Sequence, residues 1–484
     1  MSEIISGAKW VAFETIFSRV LQLISALFVA RILGPEVMGT VAIIWVALEI
    51  FRLFSEMGIT QALVHYKHPT SEQLATLYSF NWILAAASYF LICLSAPLVA
   101  TFFEREQLVD LISVAGLTVL ISAVGQQVFA LLQKELKFKV MSLISMVSAA
   151  INVFVAISLV SLGWGIWSIV ISQLAAVIIR NGLAFIYGLQ KNLLNGFGLS
   201  FKSVIPMLSF GLYQTAAMSM NLINSRADQI IIGKTMGTTA LGVYSIGSQI
   251  TLQTMQQINS VATRVAFPAV SKRQNDLDEV KDIYLTMIAN VLLVSAPLFI
   301  GLAAVSPVFV NVLLGDKWTN LSSVLSILCG YVLLRSLGNM NSPLVMGLGK
   351  ANWSFYWNFF LLFIIPAVVF FSSLAGSIEM VAFAMLLTQF VLLIVAYFFW
   401  VRRLIGPCAK EYFGTIVKPL LSSGVMGVGV AAIYEFFTWE QNILTLIILV
   451  VSGIFFYFIV SFVLNGKNLR NFIRNFIVSV GSKA

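Results

Sequence analysis

Long apolar runs joined by short connectors constrain this chain more than any other feature of its sequence. A helix that crosses a bilayer needs about 20 mostly apolar residues, and fourteen runs reach that length. None of them alternates strictly between apolar and polar residues, so they indicate α-helices and not the strands of a barrel. We therefore predict an all-α integral membrane protein with fourteen transmembrane helices. The predicted spans are residues 10–33, 37–62, 73–103, 109–133, 140–162, 164–187, 203–233, 238–267, 283–313, 320–348, 351–374, 378–401, 416–438 and 442–465.

Composition excludes most soluble classes of protein. Hydrophobic residues make up 59% of the 484 residues and charged residues only 10%, against roughly 45–50% and about 25% in soluble domains. A cytosolic enzyme, a secreted disulfide scaffold, a disordered protein and a nucleic-acid binder are therefore excluded. The 3 cysteines lie far apart and lack the spacing of metal ligands, so we expect neither a disulfide nor a metal site. The first residues lack the features of a cleaved signal peptide.

Lysine and arginine residues are distributed unevenly between the two sets of connectors. With fourteen spans, 19 of the 29 basic residues lie on the side of the termini and 4 lie on the other side. Since connectors rich in basic residues stay in the cytoplasm, both termini are predicted to be cytoplasmic. The other six are arginines inside predicted spans, which this rule does not explain: Arg19, Arg52, Arg180, Arg226, Arg264 and Arg335.

Two segments of the chain repeat at nearly the same offset. Gly34 and Gly39 follow the first span, and Gly237 and Gly242 follow the seventh, 203 residues later. The tetrapeptide Ser-Ala-Pro-Leu at 95–98 also recurs at 295–298. An even number of helices separates the copies, so the repeats share one orientation, as in transporters whose two lobes rock about a central site.

The repeat predicts two like-oriented six-helix lobes followed by two C-terminal helices. The tail after the last span carries apolar residues at helical spacing beside arginines, which predicts a helix lying on the cytoplasmic leaflet. The assigned segments are a first lobe at 1–187, a cytoplasmic linker at 188–202, a second lobe at 203–404, spans thirteen and fourteen within 405–465, and a basic interfacial tail at 466–484.

Ionisable side chains inside the spans predict a water-filled cavity between the lobes. A charge at mid-bilayer costs at least about 2.5–3.5 kcal/mol by insertion scales, so the six arginines and four acidic residues need a hydrated site. The candidate substrate-binding cations are Arg19, Arg52, Arg226, Arg264 and Arg335. The candidate coupling groups or gate ion pairs are Glu14, Glu49, Glu56 and Asp228. The candidate polar lining is Gln22, Asn224, Gln249, Gln253, Gln256 and Asn339.

Spacing leaves the role of several arginines open. Arg52 shares one helix face with two glutamates and is either neutralised by them or bound to substrate. Arg226 lies beside Asp228 and belongs either to a gate ion pair or to a substrate contact. Arg19 is either held by a glutamate or free for substrate. Arg264 and Arg335 have no acidic neighbour on their own helix, which favours an anionic substrate because guanidinium groups bind phosphate oxygens bidentately.

Enzymatic motifs are absent from the sequence. The segment Gly233-Lys234-Thr235 lacks the earlier glycine of a phosphate-binding loop, and nothing resembles a nucleophile beside its base. No cofactor is expected, and H⁺ or Na⁺ are the candidate coupling ions. A membrane polymerase or glycosyltransferase, the main enzymatic alternative, needs a large outer loop or an acidic catalytic motif, and the sequence has neither.

The residues that carry the repeat also carry a resemblance to a known family. Residues 30–35 (Ala-Arg-Ile-Leu-Gly-Pro) with Gly39, residues 54–63, and residues 228–244 resemble segments of Wzx-type polysaccharide flippases. These belong to the multidrug/oligosaccharidyl-lipid/polysaccharide (MOP) exporter superfamily. The chain is most similar to the branch that exports colanic acid and other exopolysaccharides.

The resemblance implies a V-shaped, two-lobed fold that works by alternating access. The implied cargo is an undecaprenyl-pyrophosphate-linked oligosaccharide, moved from the inner to the outer leaflet of the bacterial inner membrane for exopolysaccharide or O-antigen (lipopolysaccharide) biosynthesis. The implied partners are this lipid-linked oligosaccharide, the lipid bilayer and other polysaccharide-assembly proteins, with no nucleic acid. Arg19 matches by position a first-helix arginine of lipid II flippases. A multidrug exporter of the same superfamily is the alternative, which arginines outnumbering acids in the spans disfavours.

Overall fold

The structure, a computed structural model, describes residues 2–56, 63, 66, 69–194, 196–198, 200–436 and 440–481. Within these ranges, the side chains of Glu56 and Ala351 and most of those in 2–8, 201–223 and 465–481 lie outside the description. All regular secondary structure in the described part of the chain is helical. The chain forms two compact units, Met1–Gly242 and Val243–Ala484.

Among its described residues, the first unit contains six complete helices and the start of a seventh. The seventh, α7, is interrupted at Gly237 (φ 82°, ψ 178°) and continues into the second unit. The helices are α1 (Ser2–Leu33), α2 (Pro35–Glu56), α3 (Ser71–Phe103), α4 (Leu108–Lys134), α5 (Phe138–Ser161), α6 (Trp167–Gln190) and α7 (Phe201–Lys272).

The second unit contains the end of α7 and the remaining helices. A 3₁₀ turn at Asp316–Trp318 precedes α9, and a π-helical turn at Tyr397–Val401 follows α12. The helices are α8 (Leu277–Leu314), α9 (Thr319–Asn339), α10 (Asn341–Gly347), α11 (Ala351–Ser373), α12 (Ile378–Ala396), α13 (Arg402–Ile405), α14 (Ala409–Phe436) and α15 (Ile443–Gly481).

Twelve helices among the described residues are long and apolar enough to cross a membrane. The chain is thus a multi-pass, all-helical membrane protein, which confirms the predicted class. The two predicted spans missing from these twelve, seven and eight, both fall within α7. The total of fourteen and the arrangement of the lobes stay predictions. So does the interfacial tail, because its side chains lie outside the described residues.

Capping residues begin the two repeat-related helices α3 and α8. Thr70 Oγ1 accepts a hydrogen bond from the Gln73 amide (3.2 Å), and Gln73 Oε1 accepts one from the Thr70 amide (2.9 Å). Asp276 Oδ1 accepts hydrogen bonds from the amides of Asp278 and Glu279, both at 3.1 Å. Each cap satisfies amides that have no partner within their own helix and contributes about 1 kcal/mol.

The pattern of helix contacts repeats between the two units. In the first unit α3 packs on α4, α4 packs on α6, and α5 packs on α6. In the second unit α8 packs on α9, α9 on α12, and α11 on α12. These helices stand in the same order in the repeat, so the sequence repeat is matched by a repeat in packing. The last two helices, α14 and α15, pack on each other and on α8.

The segment predicted as a linker lies along the start of α3. The Gly198 amide donates to Ser79 Oγ (2.9 Å), and the Ser200 amide donates to Thr76 Oγ1 (3.2 Å). The ring of Phe197 contacts that of Tyr78, with 5.3 Å between centroids. The described part of this segment is therefore held on α3 by hydrogen bonds from its backbone amides to side-chain hydroxyl groups and by an aromatic contact.

The four glycines of the repeat meet at one place in the first unit. Gly34 and Gly237 both adopt positive φ (81° and 82°), a conformation that glycine tolerates without strain. A Cβ atom on Gly39 would lie 1.8 Å from the carbonyl oxygen of Thr238, and one on Gly242 would lie 1.8 Å from that of Pro35. The start of α2 and the part of α7 after its break are thus in direct, reciprocal backbone contact.

We predict that Gly39→Ala and Gly242→Ala each destabilise the protein, because the added methyl group overlaps a backbone oxygen that cannot rotate away. Overpacking costs about 1–3 kcal/mol, occasionally more. The measurement is the thermal unfolding midpoint of purified protein. Gly182→Ala is the matched control, since a Cβ there has no heavy atom within 4 Å. An unchanged midpoint for Gly39→Ala would contradict the contact.

Candidate functional site

An ion pair joins two predicted site residues from different helices of the first unit. Arg226 Nε on α7 lies 2.9 Å from Glu49 Oε2 on α2. The side chains are 37% and 39% exposed, respectively, and Glu49 lies inside the apolar span Pro35–Ser55. Arg226 thus binds an acid on a neighbouring helix, whereas spacing had suggested Asp228 on its own helix. The structure places a charged, partly open pair within the membrane-spanning part of the unit.

The other polar candidates on α2 and on the first part of α7 differ in what the structure shows of them. Glu49 forms an ion pair with Arg226. Its carboxylate is therefore shared with another helix and does not serve Arg52 alone, as the spacing on α2 suggests. Arg52 is exposed, and the side chain of Glu56 lies outside the described residues. Asp228 Oδ1 accepts a hydrogen bond from the Gln229 amide (2.8 Å). The side-chain oxygen of Asn224, one turn before, is buried without a hydrogen-bond partner among the described residues.

Two of the predicted polar site residues of α1 lie on an exposed face of the helix. Arg19 and Gln22 are both exposed. The predicted partner Glu14 instead accepts a hydrogen bond from Ser18 Oγ at 3.2 Å. Among the described residues, Arg19 forms no ion pair within 4.0 Å. The guanidinium of Arg19 is therefore accessible to an external anion.

In the second unit, Arg335 and Asn339 lie one turn apart on α9. Arg335 Nη1 donates to Tyr331 Oη (2.6 Å), and its guanidinium lies 5.7 Å from the centre of the same ring. Asn339 Nδ2 lies 3.8 Å from Met255 Sδ. Met255 belongs to α7 and stands between two of the predicted glutamines. The structure therefore brings the polar face of α9 next to the glutamine-bearing part of α7.

The polar stripe on the second part of α7 is open. Gln249, Gln256 and Arg264 are exposed, and Gln253 is half-buried. Val261 and Val265 beside Arg264 are 65% and 71% exposed. This exposed face thus carries amide groups and one guanidinium, with apolar side chains between them.

Sequence reasoning missed a second charged cluster at the end of α3. Arg105 Nη1 lies 2.7 Å from Glu36 Oε1, and Arg105 Nη2 donates to Thr238 Oγ1 (2.9 Å). Lys234 Nζ lies 2.9 Å from Glu104 Oε1, and this hydrogen bond holds the pKa of Glu104 below its ordinary value. We name these residues the rim cluster. The repeat itself is the sequence signal for this cluster, because Glu36 lies two residues after Gly34 and Thr238 lies one residue after Gly237.

The arrangement offers cationic donors of the kind that bind phosphate oxygens. Guanidinium groups that are partly exposed present planar sets of donors to phosphate oxygens. Among the described residues, no group of three or more His, Cys, Asp or Glu side chains is placed to hold a metal ion. The described residues thus supply cationic and amide donors without a metal-ligand cluster.

Comparison with known proteins gives one family match and several relatives. A family model described as "Polysaccharide biosynthesis protein" matches residues 28–323. The teichuronic acid biosynthesis protein TuaB of Bacillus subtilis (strain 168) is 29% identical over 450 residues, which are 91% of each chain. The lipopolysaccharide biosynthesis protein WzxC of Escherichia coli (strain K12) is 29% identical over 423 residues, covering 87% of this chain and 85% of WzxC.

A solved structure of the lipid II flippase MurJ, in an inward closed conformation, has a similar fold. The TM-score is 0.74, with 93% of this chain and 98% of that chain covered. The sequences are only 17% identical, so the likeness bears on the fold alone.

We predict that the Arg226–Glu49 pair contributes little to folding. Both side chains are more than a third exposed, and such pairs contribute about 0–1 kcal/mol because water screens them. A double-mutant cycle of Arg226→Gln and Glu49→Gln, measured by denaturant unfolding, gives the coupling free energy. The pair Arg273–Glu279, also 2.9 Å apart and about half exposed, is the matched control. A coupling above about 2 kcal/mol for Arg226–Glu49 alone would mean that the pair is structural.

Proposed function

Since the chain belongs to the polysaccharide biosynthesis protein family, we propose that it is a flippase for a polyprenyl-diphosphate-linked oligosaccharide. The names of its relatives support this assignment: TuaB is named for teichuronic acid biosynthesis and WzxC for lipopolysaccharide biosynthesis. The fold, which is similar to that of a protein named a lipid II flippase, is compatible with it. The proposed reaction is movement without chemistry, so the protein acts as a transporter and not as an enzyme.

The ion pair Arg226–Glu49 is the observation that carries the proposal. A diphosphate cannot enter hydrocarbon unless donors replace its water, and arginine supplies two parallel N–H groups for that purpose. The pair is partly exposed and therefore weak. A diphosphate carries more negative charge than one carboxylate, so it displaces Glu49 from Arg226 at little cost.

Other candidate cations and amides extend the proposed binding surface. Arg19, which is exposed and outside any ion pair of the described residues, is a second ligand for phosphate. Arg264 and the glutamines of α7, with Asn339 on α9, offer donors and acceptors for sugar hydroxyl groups. Arg52 and Arg335 complete the set of proposed substrate cations. Amide side chains suit this task because each one both donates and accepts hydrogen bonds.

The displaced Glu49 carboxylate is the proposed site of coupling. Once Arg226 binds the diphosphate, Glu49 lacks its countercharge inside an apolar span, which favours uptake of H⁺ or Na⁺. Glu14 and Asp228 are further candidates for the same role. Binding of the coupling ion at Glu49 and binding of substrate at Arg226 then favour each other, because each one removes a partner from the Arg226–Glu49 ion pair.

The proposed setting is the bacterial inner membrane with both termini in the cytoplasm. The distribution of lysine and arginine supports this orientation. This orientation puts the rim cluster on the outer face and the predicted linker 188–202 on the inner face. Substrate is proposed to enter from the inner leaflet and to leave, by alternating access, into the outer leaflet for assembly into exopolysaccharide or O-antigen.

We predict that Arg226→Gln and Arg264→Gln lower export of surface polysaccharide at least about tenfold, because each removes a charged hydrogen bond to substrate that is worth about 1.5–3 kcal/mol. Surface polysaccharide is measured in cells that depend on the plasmid-borne protein, with protein abundance measured in the same membranes.

Arg273→Gln is the matched control, because Arg273 lies beyond the end of α7 and pairs with Glu279. Export at the wild-type level in Arg226→Gln, with normal abundance, would reject the proposed role of Arg226. Loss of abundance in step with export would instead show that the residue acts in folding.

A further inference from the structure

An apolar crevice opens between α2, α3 and α7 in the first unit. Its volume is about 330 Å³. Buried side chains such as Ile43 (3% exposed) and Leu241 (1% exposed) line its inner end. The exposed side chains of Leu98 (72%) and Phe102 (46%) line its mouth. The lining consists of Ala42, Ile43, Val46, Ala47, Ile50, Leu98, Val99, Phe102, Phe103, Gln229, Ile230 and Leu241.

The chemistry of the lining selects hydrocarbon as the occupant. Gln229 is the one polar side chain in this lining, whereas an ordered water needs two to four polar partners. The α2 wall runs within the apolar span Pro35–Ser55, at a depth where the surroundings are lipid tails. From Ala42 to Ile50 this wall is about 12 Å long at 1.5 Å per residue. The crevice thus fits a stretch of a single chain.

Charged groups flank both ends of the crevice. At one end Glu49 is adjacent to Ile50, and its partner Arg226 lies one helical turn before Gln229 and Ile230. At the other end Phe103 is followed by Glu104, and Lys234 Nζ lies 5.3 Å from the centre of the Phe102 ring. The apolar surface therefore runs from the deep ion pair to the rim cluster.

We propose that this crevice binds the isoprenoid chain of the lipid-linked substrate while its diphosphate lies at Arg226. The inference rests on the proposed function and deepens it by giving the tail its own site. The diphosphate of such a lipid is bonded directly to its first isoprene unit, so an anion at Arg226 places that unit at the deep end of the crevice.

Charge at depth distinguishes this occupant from an ordinary phospholipid. A phospholipid headgroup stays at the membrane surface, where the acidic and basic groups of the rim cluster already neutralise each other at 2.7 and 2.9 Å. Arg226 pairs with Glu49, and Glu49 lies six residues before the end of the span Pro35–Ser55. An anion at that depth belongs to a lipid whose headgroup the protein has drawn into the membrane.

The test compares binding of farnesyl diphosphate, a short isoprenoid diphosphate without sugars, with binding of inorganic pyrophosphate. Both dissociation constants are measured by equilibrium dialysis of the purified full-length protein in detergent. Leu98→Gln makes the exposed mouth polar without disturbing the core, and Ala47→Phe fills the crevice. The matched controls are Leu94→Gln and Ala87→Phe, which change exposed residues of α3 outside the crevice.

We expect the preference for farnesyl diphosphate over pyrophosphate to fall about tenfold in Leu98→Gln and Ala47→Phe, since displacing two methylene groups from an apolar site has an effect of that size. The controls keep the wild-type preference. If Ala47→Phe fails to fold, Leu98→Gln carries the test alone, and its thermal unfolding midpoint is expected to match that of Leu94→Gln.

Each contrary result overturns a defined statement. An unchanged preference in Leu98→Gln removes the tail site and leaves the proposed function standing. Displacement of farnesyl diphosphate by excess phosphatidylethanolamine from the wild type, but not from Leu98→Gln, assigns the crevice to a phospholipid and also overturns the inference. Failure of the wild type to bind either pyrophosphate or farnesyl diphosphate contradicts the proposed function itself.

Discussion

The ion pair between Arg226 and the partly exposed Glu49 carboxylate, which lies within an apolar span, is the constraint on which the proposed function depends. Hydrocarbon tolerates a guanidinium only beside an opposite charge, backbone carbonyls or water, and the Arg226–Glu49 pair meets that condition by joining α2 to α7. Both side chains are more than a third exposed, so we predict that the pair adds little to folding stability. The proposed function instead assigns to this place an anion that replaces Glu49.

The fold class and the repeat were predictable because both follow from patterns of neighbouring residues along the chain. Apolar runs gave the helical membrane class, and the glycine repeat predicted two copies of one unit, which the recurring helix contacts support. The resemblance in residues 30–35 with Gly39, 54–63 and 228–244 is confirmed by the family match over residues 28–323 and by relatives such as WzxC. The count of fourteen spans goes beyond what the described residues decide.

Partners across helices could not be predicted, because periodicity relates residues of one helix only. It grouped Arg52 with Glu49 and Arg226 with Asp228, whereas the structure pairs Glu49 with Arg226. The rim cluster was missed for the same reason: Arg105 follows α3, and its partners Glu36 and Thr238 belong to two other helices. The candidate residues of α1, α7 and α9 were named from sequence, and their roles in binding stay predictions.

The reciprocal contact of Gly39 and Gly242 has a consequence for how such a protein can diversify. It is built from main-chain atoms, so it offers no side chain that evolution can exchange to suit another glycan. Under the proposed function, the positions that can change with cargo are the exposed polar residues of α1 and α7. A change of sugar is then accommodated there without altering the backbone contact between α2 and α7.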